Sequence, residues 1–310
     1  VLLSLLSLPH ARAEPQQFRA YLPLMRQTSF DLYASTGTQI IRYDGATGKR
    51  LNTVVSNAQA GAWPADFAFG PDENLYVSDG LHVQRYSPLT GDLLGTFIDL
   101  AEAGFAVAYN LAFGPDGNLY VAGQPKDSVF TTKVARFQGM TGIFIDNFIP
   151  QLVGLQPLAG DIHFGPNGDL YVLCIEGIGT RTYLQRYDGS SGAFVDTIIP
   201  INSQWLLPSS FTFGADDNIY AIADSARVLR FDGKTGGFLD TFIPADESHL
   251  RSAIDLTFGP NGNLYFVRQD TDQVLQYHGT TGAFINIFIE PELDHAIGSN
   301  RIVFYPKLAP

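Results

Sequence analysis

The chain has 310 residues, with 31 Asp and Glu against 19 Lys and Arg, for a formal net charge of −12. That balance excludes a general nucleic-acid binder, which needs a basic footprint to neutralise phosphates. The single Cys174 excludes an intramolecular disulfide, and 2 Met beside 31 Gly and 18 Pro point away from a helical bundle. Short strands joined by tight turns suit this composition better, because Gly and Pro build turns and aromatic residues pack on pleated surfaces.

Val1 to Pro9 is an apolar run followed by Ala11-Arg12-Ala13. The pair resembles the apolar region and A-x-A cleavage site of a secretory signal peptide, and it is too short to span a bilayer. Cleavage after Ala13 is expected, leaving residues 14–29 as a leader and 30–310 as one folded unit. The expected address is secreted, periplasmic or extracellular, and the expected state is a monomer with no membrane span.

From Phe30 onward one pattern recurs. A short apolar run ends in Phe at Phe69, Phe113, Phe164, Phe213, Phe258 and Phe304, spaced 44 to 51 residues apart. In the first five copies a Gly follows the Phe, then a turn such as PDGN or PNGD, then Tyr76, Tyr120, Tyr171, Tyr220 or Tyr265 in a second apolar run. A third run carries Arg85-Tyr86, Arg136-Phe137, Arg186-Tyr187 or Arg230-Phe231, replaced by Gln276-Tyr277 in the last copy. Turns such as DGSSG and DGKTG lead into a fourth run, FIDNFIP or FLDTFIP. Four strands per repeat of this length is the signature of a β-propeller blade. The first copy, from Phe30, lacks its first strand, and Arg301 to Pro306 supplies one with nothing after it. The expected fold is all-β: a six-bladed β-propeller of four-stranded blades, closed by the C-terminal strand completing the N-terminal blade.

The pattern FGPxGNLYV…VxRYDGxTGxFIxxFIP resembles the NHL-type six-bladed propellers. It is also similar to the streptogramin-lyase-like and lactonase-type propellers. The resemblance implies a channel lined by the first strand of each blade. It also implies a class that includes binding scaffolds, lactonases and lyases, so fold alone does not name a function. Streptogramin-lyase-like enzymes use a His, a Glu and a divalent metal at the channel mouth. Lactonase-type propellers hold their metal with Glu, Asn and Asp, and this chain has no Glu at the corresponding inner-strand positions.

If the six Phe pack between blades, strand alternation turns the residues one and three places earlier to the channel. Three places earlier stand Asp66, Asn110, Asp161, Ser210, Asp255 and Arg301. Asp66, Asn110, Asp161 and Asp255 are oxygen donors suited to Ca²⁺ or Mg²⁺; alternatively they cap the inner strands by bonding backbone donors. His163, one place before its Phe, is the only candidate His facing the channel and the candidate acid/base. His249 and His295 lie in loops leading to the same face.

Loop aromatics Trp63, Phe105, Tyr109 and Trp205 are candidates for an exposed ligand surface at the mouth, with Arg301 as its charged member, or for plugs between blades. The turn carboxylates Asp44, Asp72, Asp116, Asp188 and Asp232 read as turn formers. The recurring arginines read as structural, since an active site needs its residues once. Cys174 reads as a small buried residue. No Gly-x-Ser-x-Gly, Walker A, HExxH or CxxC pattern is present. The leading expectation is a secreted propeller that binds a ligand or extracellular protein through its channel-mouth face. A divalent-metal-dependent lyase or hydrolase at that mouth is the alternative, and a structural module of an extracellular assembly is the third.

Overall fold

The computed structural model describes residues 29–56, 64–128, 131–153, 157–176, 181–201, 210–224, 227–245, 250–290 and 301–307. Every strand predicted from the repeat is present, and the strands form six antiparallel four-stranded sheets. The first blade holds β1 (Phe30–Thr36), β2 (Gln39–Asp44) and β3 (Arg50–Val55). The second runs β4 (Asp66–Phe69), β5 (Leu75–Ser78), β6 (His82–Tyr86) and β7 (Leu93–Asp99). The third runs β8 (Phe105–Phe113), β9 (Leu119–Pro125), β10 (Lys133–Phe137) and β11 (Phe144–Ile149). The fourth runs β12 (Pro157–Phe164), β13 (Leu170–Glu176), β14 (Arg181–Tyr187) and β15 (Phe194–Ile199). The fifth runs β16 (Phe211–Phe213), β17 (Ile219–Ala223), β18 (Arg227–Phe231) and β19 (Phe238–Ile243). The sixth runs β20 (Ala253–Phe258), β21 (Leu264–Arg268), β22 (Gln273–Tyr277) and β23 (Phe284–Ile289). The last strand, β24 (Arg301–Pro306), returns to the first blade and takes its inner place beside β1, with Arg301 opposite Ser35 and Val303 opposite Tyr33. This closure pairs an edge of β1 that would otherwise be open.

The blades are held by packing across their faces. Each repeated Phe meets the repeated Tyr of the preceding blade edge-on, in six pairs: Tyr33–Phe69, Tyr76–Phe113, Tyr120–Phe164, Tyr171–Phe213, Tyr220–Phe258 and Tyr265–Phe304. Their ring centroids lie 4.7 to 5.0 Å apart. Such pairs contribute about 0.5–1.5 kcal/mol each beyond their buried area. The apolar clusters likewise span neighbouring blades: Leu173, Leu184 and Ile198 of the fourth pack on Phe211, Ile219 and Leu229 of the fifth.

Two glycines show why the repeat needs Gly. A Cβ on Gly165 would sit 2.4 Å from the Tyr171 ring, so the Phe-Gly step leaves room for the tyrosine. Gly236 has φ of +68°, and its Cβ would lie 1.7 Å from the Ile198 carbonyl oxygen of the preceding blade.

The turn carboxylates act locally, as their repetition implied. Asp188 Oδ1 accepts from the Ser191 backbone N–H at 2.8 Å, and Asp232 Oδ1 from that of Thr235 at 2.8 Å. The arginines pair across the sheet. Arg136, Arg186 and Arg230 stand opposite Asp146, Asp196 and Asp240 on the fourth strands and bind them. In the sixth blade both positions are neutral, with Gln276 opposite Asn286. Cys174 is fully buried against Gln185, and burial pushes its thiol well above the usual range. Among the described residues no helix is long and apolar enough to cross a membrane.

Candidate functional site

The inner strands bring Asp66, Asn110, Asp161, Ser210, Asp255 and Arg301 around one cavity of about 240 Å³. The side-chain alternation counted back from the repeated Phe therefore selects a real ring. In three blades a bulge falls immediately before the ring residue, at Tyr109, Gly160 and Ile254. A bulge re-aims the side chain that follows it and leaves backbone groups outside the ladder.

Two of the three aspartates clip neighbouring blades together. Asp66 Oδ2 accepts from the Leu111 backbone N–H at 2.8 Å, and Asp255 Oδ2 from that of Ile302 at 2.7 Å. Each acceptor thus reaches the residue that follows the ring member of the next blade. The other oxygen of Asp66 accepts from Phe67 N–H at 2.8 Å, and Asp161 Oδ1 from Ile162 N–H at 2.9 Å. Capping of inner-strand donors is therefore part of what this ring does.

The remaining contacts link side chains of different blades, and one of them, Arg301 to Asp161, runs across the channel from the first blade to the fourth. Arg301 Nη1 donates to Asp161 Oδ1 at 2.9 Å, and its Nε lies 3.3 Å from Asp66 Oδ1. Ser210 Oγ lies 2.8 Å from both Asp161 Oδ2 and Asp255 Oδ1. A hydroxyl carries one proton, so it donates to only one of them at a time.

The three carboxyls are buried to 3% exposure or less, and their environments differ. Burial pushes Asp66 up to about 6, against the pull of Arg301 and the Leu111 N–H. Burial also raises Asp255 above the usual carboxylate range. At Asp161 burial acts in the same direction, but the charges of His163 and Arg301 and hydrogen bonds from His163 and Ser210 outweigh it. That carboxyl is held well below the usual range. The two carboxyls that share the Ser210 hydroxyl are thus shifted in opposite directions.

His163 sits two residues along β12 from Asp161, with Nε2 3.0 Å from Asp161 Oδ2 and its ring edge-on to Phe211 at 5.0 Å. It therefore joins the ring network through Asp161. Asn110 Nδ2 reaches the Gly160 carbonyl at 3.4 Å, while its Oδ1 is buried without a hydrogen-bond partner. Tyr109, at the bulge beside Asn110, is half-buried.

The oxygen donors for a cation are Asp66, Asp161, Asp255 and Asn110, and two of these carboxylates already hold Arg301. Among the described residues no group of three or more His, Cys, Asp or Glu side chains is placed to hold a metal ion. Trp63, Trp205, His249 and His295 lie outside the described residues. Phe105, expected as an exposed aromatic or a plug, is 1% exposed and belongs to the core between the second and third blades. The bridging place of Ser210 and the reach of Asp66 and Asp255 to the next blade had no sequence signal, because the first depends on side chains and the second on backbone N–H groups of neighbouring blades.

No protein-family model and no curated protein matches the chain. Solved structures do. A chain of the nidogen/laminin complex matches at a TM-score of 0.67 and 14% identity, over 89% of this chain and 98% of that one. A protein of unknown function from Bacteroides caccae matches at 0.66 and 12%, over 90% and 100%. Virginiamycin B lyase from Staphylococcus aureus matches at 0.53 and 13%, over 88% and 79%. The chain is a six-bladed β-propeller, similar in fold to these proteins as its blade pattern implied.

Proposed function

We propose that the protein is an extracytoplasmic binding propeller whose channel mouth receives a positively charged or donor-rich group of a ligand or partner. The observation that carries this reading is the charge balance of the ring, in which three buried carboxyls share the one guanidinium of Arg301. Strand N–H groups, Ser210 and His163 bond those carboxyls, and Asn110 Oδ1 is buried without a partner among the described residues. The ring also differs from blade to blade, where the rest of the repeat is maintained for folding. A rigid scaffold with one variable face is a common way to build a binding site. The N-terminal apolar run supports the extracytoplasmic address. Trp63 and Trp205, outside the described residues, are the loop aromatics proposed for this face from the sequence. The occurrence of a similar propeller in the nidogen/laminin complex supports a protein as one kind of partner.

A cation entering this ring favours ionised Asp66 and Asp255, so its binding releases protons and tightens as pH rises through about 6. The test is titration with butylammonium, arginine methyl ester and Ca²⁺, followed by backbone-amide NMR. Perturbation of residues 66–67, 110–111 and 301–302 supports the reading. No response to any probe, or a response confined to the outer strands, overturns it. Response to Ca²⁺ alone, with a chelator lowering Tm, favours the metal-dependent lyase or hydrolase instead, with His163 beside Asp161 as its acid/base.

A further inference from the structure

A second cavity, of about 780 Å³, opens on the third blade at the end where the channel mouth lies. It is bounded by the turn before β8, the segment after β9, the start of β10 and the end of β11. Its buried member is Lys133, 7% exposed, the first residue of β10. Lys133 Nζ donates to the Ala103 carbonyl at 2.8 Å and stands 4.3 Å above the Phe105 ring. No carboxylate of the described residues lies within ion-pair distance of it. Gly104 (φ +79°) brings the backbone so close that a Cβ there would lie 3.3 Å from Nζ.

An ammonium has three donors, and one is spent. A cation taken out of water without a counter-charge is destabilising, and a carbonyl and an aromatic face offset only part of that. The lining also includes Lys126 and two acids, Glu102 and Asp127, and Lys133 is its buried member. Burial lowers the Lys133 ammonium from its ordinary value, against the Asp127 charge. Asn147, Gln151 and Thr131 supply neutral polar groups on the remaining walls. The volume lies within the range of small-molecule sites.

We propose that this cavity binds a small polar carboxylate, whose carboxylate group takes the remaining donors of Lys133. The polar walls then hydrogen-bond the hydroxyl or second carboxyl groups of the same molecule. The site is separate from the channel ring, so a ligand here and a cation there occupy the protein together.

The test uses acetate, succinate and gluconate, titrated calorimetrically against the full chain and against Lys133→Met, which keeps much of the aliphatic stem. The expected result is one-to-one binding of at least one probe, weakened tenfold or more in the variant and unchanged in Lys234→Met, at an exposed turn of the fifth blade. A second measurement uses only the unaltered chain: reductive methylation of lysines read by mass spectrometry, with the bound probe protecting Lys133 selectively. Equal binding by Lys133→Met, or failure of all three probes both to bind and to protect, overturns the proposal. If Lys133→Met does not fold, protection decides alone: selective protection of Lys133 supports the site and its absence overturns it.

Discussion

Replacing Arg301 with Met tests the electrostatics of the ring most directly. Met preserves much of the side chain's apolar stem but removes the guanidinium that contacts both Asp66 and Asp161. Breaking a buried ion pair from one side costs about 3–5 kcal/mol, because the opposite charge is left without compensation. The cost should depend on pH, and its sign can be worked out. A carboxyl raised by burial contributes stability below its ordinary value that is lost as pH rises through its folded value. For Asp66 that window runs from the ordinary carboxylate range to about 6, and Asp255 shifts in the same direction. Asp161 is held low partly by Arg301, so its carboxyl shifts upward in the variant while His163 and Ser210 still pull it down. Near pH 4 the ring takes up protons and the deficit falls to the lost hydrogen bonds, about 1 kcal/mol. Near pH 7.5 it should reach about 4 kcal/mol. Urea unfolding of both proteins at about pH 4, 5.5 and 7.5 measures this difference. A deficit that is flat across the range, or under about 1 kcal/mol at the highest pH, would refute the view that Arg301 compensates buried carboxylates.

Three further outcomes are expected. Carboxyl-carbon NMR should find Asp66 titrating near 6 while Asp161 stays ionised well below the usual carboxylate range; the reverse order would contradict the balance of burial and charge described for the ring. Gly236→Ala places a methyl against the Ile198 carbonyl at a positive φ, and should lower stability by about 2 kcal/mol or more in thermal or urea unfolding, with a loss under about 0.5 kcal/mol counting against this packing. Arg186→Gln with Asp196→Asn copies the neutral pair of the sixth blade, and a double-mutant cycle should return a coupling of about 0–1 kcal/mol, because Asp196 is 42% exposed and solvent screens the pair. A coupling above about 2 kcal/mol would show the pair to be more than a surface contact.

The blade pattern was legible in the sequence because every blade solves the same local problem. Tyr171 needs Gly165 beneath it, Asp188 closes its own turn, and Phe213 needs Tyr171 on the blade before. These contacts repeat with the strands, so the repeat carries fold, blade count and ring closure together. The ring positions were also legible, since strand alternation fixes Asp66 to Arg301 relative to the repeated Phe. Their chemistry was not. How Asp255 is shifted, or whether Ser210 bridges two carboxyls, depends on side chains 45 to 49 residues apart meeting between neighbouring blades. Lys133 is likewise ordinary as a residue before a strand, and only the packing of Phe105 beneath it and the Ala103 carbonyl beside it makes it a buried cation. Sequence by itself determined the strands and their closure, because those depend on local periodicity and turn chemistry. Tertiary structure decided the charges and contacts at the sites, because burial and distance between blades set the protonation of each group.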